Sequence, residues 1–258
     1  MKNALIGHTG FVGRNVKELS NFDHYFNSKN IKKIRKRKFN NIFCCGLPSL
    51  MWKANKFPLK DLKNIYNLMK NLSNVSCNQF ILISSVEVYD HKFVSNEKNF
   101  FLKKKKLNYG YNRLIFEKFI EKNFPNNIIL RMPVIYGKFL KKNILFDLIN
   151  LRNLDKINLE DQLQFYNIKN IFKDINICKK NKIKKINLIS KPIKVRELVK
   201  FLRPNVLNKC KSDKKNKRKY DVKSIYSKYF DKNNNYIISK KKLLTDMKKT
   251  FKFYKSKK

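Results

Sequence analysis

Ala4-Leu5-Ile6-Gly7-His8-Thr9-Gly10-Phe11-Val12-Gly13 places a short apolar run directly before glycines spaced three residues apart. The pattern predicts a strand, a tight turn and the first turn of a helix. Gly7 permits the turn, Gly10 allows the backbone to approach a pyrophosphate, and Gly13 lets the new helix pack on the strand. The free N–H groups and the positive dipole end of that helix would face the phosphates. Dinucleotide-binding folds begin with such a strand, and this one stands near the start of the chain.

The following segments alternate in the same way. Asp23–Ser28 reads as a second strand and its end, and Asn41–Gly46 as a continuous apolar strand closed by Gly46. Leu47–Pro58 reads as a loop carrying Trp52. Leu59–Leu72 has helical periodicity, with Leu62, Ile65, Leu68, Met69 and Leu72 on one face. Phe80–Ser85 is a strand, Asp90–Lys106 a polar stretch, Tyr109–Lys122 a helix and Asn127–Arg131 another strand. In the Tyr109 helix, Leu114, Ile115 and Phe119 mark a buried face and Glu117 a wet one. Strands alternating with helices imply an α/β fold, a Rossmann-type doubly wound parallel sheet of about six or seven strands. Residues 1–138 form the dinucleotide-binding part. Residues 139–258 form a smaller C-terminal part that caps the cleft and partly returns to the sheet. Within it the pattern gives helices at Asn143–Asn150, Val195–Leu202 and Lys240–Phe253, a short strand at Ile186–Ile189, and a basic loop over 203–219.

The 258 residues, 42% hydrophobic, suffice for a large core and argue against disorder. No apolar run is long enough to span a bilayer, and no signal-peptide core opens the chain. Cys44, Cys45, Cys77, Cys178 and Cys210 form no CxxC pair and are odd in number, as expected of reduced thiols in a cytoplasmic protein. His24 and His91 have no partner at metal-binding spacing, so no metal site is expected. The net charge of +43 suggests a polyanionic partner, but alanine occurs only twice among abundant Lys, Asn, Ile and Phe. An AT-rich coding sequence accounts for that composition. The lysines are scattered and not interleaved with stacking aromatics, which disfavours a nucleic-acid partner.

Further motifs narrow the reading. Ser84-Ser85-Val86-Glu87-Val88-Tyr89 ends a strand, Tyr109-Gly110-Tyr111-Asn112-Arg113 opens a helix, and Leu130-Arg131-Met132-Pro133-Val134-Ile135-Tyr136-Gly137 follows. With Gly7, Gly10 and Gly13, these resemble the extended short-chain dehydrogenase/reductase superfamily, specifically its NAD-dependent epimerase/dehydratase family. The resemblance is carried by residues 1–138, and the segments Leu163–Ile168 and Asn187–Ser190 are similar to stretches of short members of the same family. It implies an NAD(P)-dependent oxidoreductase or epimerase acting on a nucleotide-linked sugar, with Tyr109 as acid/base, Ser85 hydrogen-bonded to the reacting oxygen and position 113 as the cationic neighbour. It implies cofactor contacts from Gly7, His8, Gly10, Phe11, Val12 and Gly13 at the turn. Others come from Asn27 and Ser28 after the second strand, Cys45 and Gly46 after the third, Pro133, and Tyr109 with Arg113. Asn27, Ser28 and Lys29 stand where an acid would read the ribose of NAD, so NAD and NADP both remain open. A homodimer is a further expectation.

Two departures stand out. Position 113 is arginine where the family has lysine, and the two are not interchangeable. A guanidinium about 4–6 Å from the phenol is expected to lower its pKa by roughly 1–3 units. The chain is also short for a nucleotide-sugar epimerase. Glu87 lacks the preceding aspartate of the dehydratases and reads as a solvated strand-end acid. A catalytically silent NAD(P)-binding protein with a regulatory or scaffolding role is the alternative.

Overall fold

The computed structural model describes residues 1–99, 107–230 and 235–256. Its centre is a parallel sheet of β1 (Ala4–Ile6), β2 (His24–Phe26), β3 (Lys38–Cys44), β4 (Ser76–Ser85), β5 (Asn127–Met132) and a returning strand from the C-terminal part. The shorter β6 (Val134–Tyr136), β7 (Gln162–Leu163) and β8 (Phe165–Asn167) precede that strand, β9 (Lys185–Asn187), and β10 (Ile193–Lys194) follows it. The order in the main sheet is β2-β1-β3-β4-β5-β9, all pairs parallel. This doubly wound arrangement turns between β1 and β3, where the chain leaves the sheet in opposite directions and opens a crevice at the carboxyl ends.

The strands are apolar because helices cover both faces. Ala4, Leu5 and Ile6 are buried, as are Ile42–Cys44 and Phe80–Leu82. The helices are α1 (Phe11–Leu19), α2 (Met51–Lys56), α3 (Pro58–Leu72), α4 (Tyr109–Asn123), α5 (Ile144–Asn150), α6 (Ile171–Lys180), α7 (Val195–Leu202) and α8 (Lys240–Lys255). Pro58 opens α3, where its missing N–H costs nothing, and Leu62, Ile65, Leu68 and Leu72 face the core. Asn108 caps α4 by accepting from the Tyr111 N–H. Residues from both parts of the chain, among them Leu5, Ile81, Leu163, Leu198 and Leu243, share one core cluster. The five cysteines are free thiols, and no described helix is long and apolar enough to cross a membrane.

The segment 47–58 is not all loop, since α2 occupies its middle. In 203–219 two turns of 3-10 helix, Pro204–Lys209, interrupt the loop. The helix α6 and the short strands β6, β7, β8 and β10 have no counterpart in the sequence reading. The strands are two or three residues long and define no period of their own.

Glu117 overturns its expected wet face. It is fully buried. Its carboxylate accepts from Arg131 Nη2 at 2.6 Å, from Arg131 Nε at 3.0 Å and from Ser84 Oγ at 2.5 Å. Arg131 also donates to Tyr89 Oη at 2.6 Å, and that hydroxyl donates to Asn187 Oδ1. The network fastens α4, β4, β5 and β9 together beneath the crevice. Glu117→Ala, which strands the Arg131 charge, is expected to cost about 3–5 kcal/mol. A denaturant titration checks it; a loss under about 1 kcal/mol would mean the pair does not hold these elements.

Candidate functional site

The site begins with a steric necessity. Gly7 adopts φ +84°, and a Cβ there would lie 2.5 Å from the Cys45 carbonyl oxygen. A Cβ on Gly13 would stand 2.1 Å from the Gly7 carbonyl oxygen. Gly10 is different: its Cβ would meet only that same oxygen, at 3.4 Å, and otherwise faces open space. Gly7 and Gly13 therefore hold the strand, turn and helix together, and Gly10 leaves the mouth of α1 clear. His8 turns inward, its Nδ1 at 3.0 Å from the Phe26 carbonyl.

The crevice has two connected halves, of about 390 and about 510 Å³, which share Gly10, Cys45, Leu47 and Ser49 as walls. The smaller half carries Gly7, Asn27, Ser28 and Gly46. The larger carries Phe11, Val12, Ser85, Tyr109, Arg113 and Pro133. The fold thus brings together the residues that the sequence marked, apart from His8 and Gly13, which line neither half. Among the described residues, no carboxylate lines either half.

Tyr109 and Ser85 meet at the floor of the larger half, where β4 ends and α4 begins. The hydroxyl of Ser85 accepts from the Glu87 N–H at 3.2 Å and is a polar neighbour of the phenol that favours its ionised form. Gly110 allows the approach, because a Cβ there would lie 1.8 Å from the Glu87 carbonyl oxygen. Arg113 stacks on the phenol, its Cζ 3.8 Å from the ring centroid. Its guanidinium is 1% exposed and bonded through its two terminal nitrogens, with Nε unpartnered among the described residues: Nη1 and Nη2 grip the Asp61 carboxylate, Nη2 also donates to the Pro48 carbonyl, and Nη1 to the Tyr109 carbonyl at 3.2 Å.

The expected lowering of the Tyr109 pKa is not found. Burial pushes it above its ordinary value, and the charges of Glu87 and Asp61 act in the same direction; Arg113 and Ser85 offset them only in part. Nor is Glu87 a solvated acid. Its side chain is 12% exposed, accepts from the Tyr220 hydroxyl at 2.5 Å, and lines neither half of the crevice.

No family model and no curated protein sequence matches the chain. Solved structures do match. UDP-glucose 4-epimerase from Thermotoga maritima, solved with UDP-glucose, superposes with a TM-score of 0.72 at 14% identity over 100% of this chain and 99% of that one. dTDP-4-dehydrorhamnose reductase from Yersinia enterocolitica gives 0.69 at 15% identity over 98% and 100%. RMD from Pseudomonas aeruginosa, complexed with NADPH, gives 0.69 at 12% identity over 100% of each chain. The chain has the fold of these proteins. The resemblance read from the motifs therefore holds at the level of architecture, and it extends past residue 138 to the whole chain.

The sequence reading missed Asp61, although a signal was present. Asp61 stands in register with Ile65, Leu68 and Leu72, an acid set within the apolar stripe of α3. It also missed Lys142, whose Nζ donates across the crevice to Ser49 O and Oγ at 3.2 and 3.3 Å. Nothing in the periodicity of residues 138–143 marks that reach.

The glycine geometry makes a contrast that melting curves can check. Gly13→Ala is expected to cost about 1–3 kcal/mol or more through overpacking, whereas Gly10→Ala should stay within about 0.5 kcal/mol of wild type. Equal losses at the two positions would contradict the distinct roles assigned to them.

Proposed function

We propose that the protein is an NAD(P)-dependent oxidoreductase of the epimerase or reductase type, acting on a nucleotide-linked sugar. The observation that carries this is the convergence of the Gly7–Gly13 turn and the Ser85–Tyr109 pair in one crevice. The fit to a dinucleotide rests on Gly10, where the backbone has the open space that a phosphate needs. When bound, the nicotinamide would supply or accept the hydride. UDP-glucose and NADPH, the ligands of two of the similar structures, belong to the same chemistry.

The roles of the chain's own residues follow from the geometry. Gly10, Phe11 and Val12 would present the first turn of α1 to the pyrophosphate, and Pro133, which lines the larger half, would wall the nicotinamide. Ser85 Oγ orients the reacting oxygen. Tyr109 Oη holds the mobile proton. Because burial raises the phenol's pKa, Tyr109 is protonated at neutral pH and suited to donate to a carbonyl oxygen, which favours the reductive direction. Glu87 is held by Tyr220 away from the crevice, which leaves a dehydratase reaction without its glutamate. Arg113, occupied by Asp61 and two backbone carbonyls, stacks under the phenol instead of reaching for a ribose.

At the end of β2, Asn27 Oδ1 accepts from the Lys29 N–H, and no acid among the described residues lines the smaller half. Nothing there repels a 2′-phosphate, so NADP is expected to bind at least as tightly as NAD. Calorimetry with the two cofactors checks this; clear preference for NAD would reverse it. Gly10→Asp should abolish binding of both while the protein stays folded, because its carboxylate would meet the pyrophosphate.

The decisive test is hydride exchange between nicotinamide and a panel of nucleotide sugars, followed by absorbance. Tyr109→Phe should lower turnover by about 10²–10⁴-fold with cofactor affinity nearly unchanged. If wild type binds cofactor but exchanges no hydride with any sugar, the silent binding protein replaces this reading.

A further inference from the structure

Arg113 is held on one side by Asp61 and lies on the other against the ring of Tyr109. Asp61 is 5% exposed and Arg113 1%. The carboxylate takes both arms of the guanidinium, a planar grip that fixes orientation as well as distance. Asp61 is itself steadied by Asn112, whose Nδ2 donates to its Oδ2 at 2.9 Å and to the Pro58 carbonyl at 3.0 Å. The Pro48 carbonyl, in the loop after β3, holds the guanidinium from a third element. The result is a flat cation, fixed by α3 and the β3 loop, on which the phenol lies.

We infer that Asp61 is a positioning residue for Tyr109: through Arg113 it sets the phenol ring over the crevice, and it cancels the charge that Arg113 would otherwise lend to the hydroxyl. This rests on the reading of Tyr109 as acid/base. A lone cation beside a phenol stabilises the phenolate; a cation paired with a carboxylate does so far less. The charged groups facing Tyr109 are Arg113 from α4, Asp61 from α3 and Glu87 from the turn after β4. Lys141 and Lys142, from the segment before α5, line the same half of the crevice. Of these, Asp61 and Arg113 are bound to each other, so removing either charge exposes the other. The chain thus pairs its arginine with an acid, keeps the proton on Tyr109, and obtains from the stack a rigidity that a lysine would not give.

The test uses the full chain labelled with ring-¹³C tyrosine, the Tyr109 resonance being identified by its loss in Tyr109→Phe. In wild type that resonance should remain that of a neutral phenol up to about pH 10, the ordinary tyrosine value. In Asp61→Asn the uncancelled arginine should bring its titration down by about 1–3 pH units, and the alkaline limb of the reductive hydride-transfer profile should move with it. Adding Arg113→Gln to that variant should abolish the fall, because a neutral hydrogen-bonding pair then replaces the ion pair. Simple loosening of the site would act alike in the single and double variants. Should Asp61→Asn fail to fold, Arg113→Gln must hold its proton to higher pH than the double variant, and equal titration overturns the inference. An unmoved Tyr109 titration in a folded Asp61→Asn also overturns it, whatever Tyr109→Phe does. Wild-type hydride exchange by Tyr109→Phe would instead remove the proposed function.

Discussion

The crevice depends on how closely the backbone passes itself at the end of β1. Gly7 lies against the Cys45 carbonyl, Gly13 against the carbonyl of Gly7, and the Cys45 N–H donates to the Ile6 carbonyl at 2.8 Å. These are contacts of backbone with backbone, and hard-sphere repulsion excludes any side chain between them. They fix the mouth of α1 against the end of β3, which is where the sheet order turns. A site built in this way is insensitive to the composition of the surface. That is how a chain carrying 61 basic and 18 acidic residues can keep it.

The other wall of the crevice is held by buried charge. Tyr109, Arg113 and Glu117 are spaced four apart and so lie along one line of α4. Arg113 turns to Asp61 on α3, and Glu117 turns to Arg131 on β5. A buried charge without a partner is costly, so each pair constrains where its two elements can sit. Between them they leave α4 little freedom to slide or rotate, and Tyr109 at its first turn is placed accordingly. Catalytic geometry tolerates errors of only about half an ångström, and two ion pairs in series along one helix are a means of meeting that demand.

The excess of positive charge has a consequence for the crevice too. Among the described residues its walls contain no carboxylate, and Lys141 and Lys142 stand at the larger half. A cleft of one sign raises the local concentration of oppositely charged ligands. Phosphate-bearing ligands are therefore favoured there without a dedicated basic patch, and the compositional bias and the proposed chemistry act in the same direction.

The pairing of Ser85 with Tyr109, 24 residues apart, came from the family resemblance, while the local pattern by itself determined the alternation of strands and helices up to β5 and the glycine turn. Each is a property of residues close in the chain: a period of 3.6, an apolar run, a tight turn. The short strands β6, β7, β8 and β10 carry no such period and stayed illegible, whereas the short strand read at Ile186–Ile189 is found as β9 (Lys185–Asn187), which completes the main sheet. Only the tertiary structure decided what the charged residues do. Arg113 read as a free cation serving the phenol, and Glu117 as a wet residue. Yet Asp61 is 52 residues from Arg113 in the chain, and Arg131 is 14 from Glu117. A charge's effect depends on what faces it and how much water is near, and both are set when distant segments pack; no local pattern contains them.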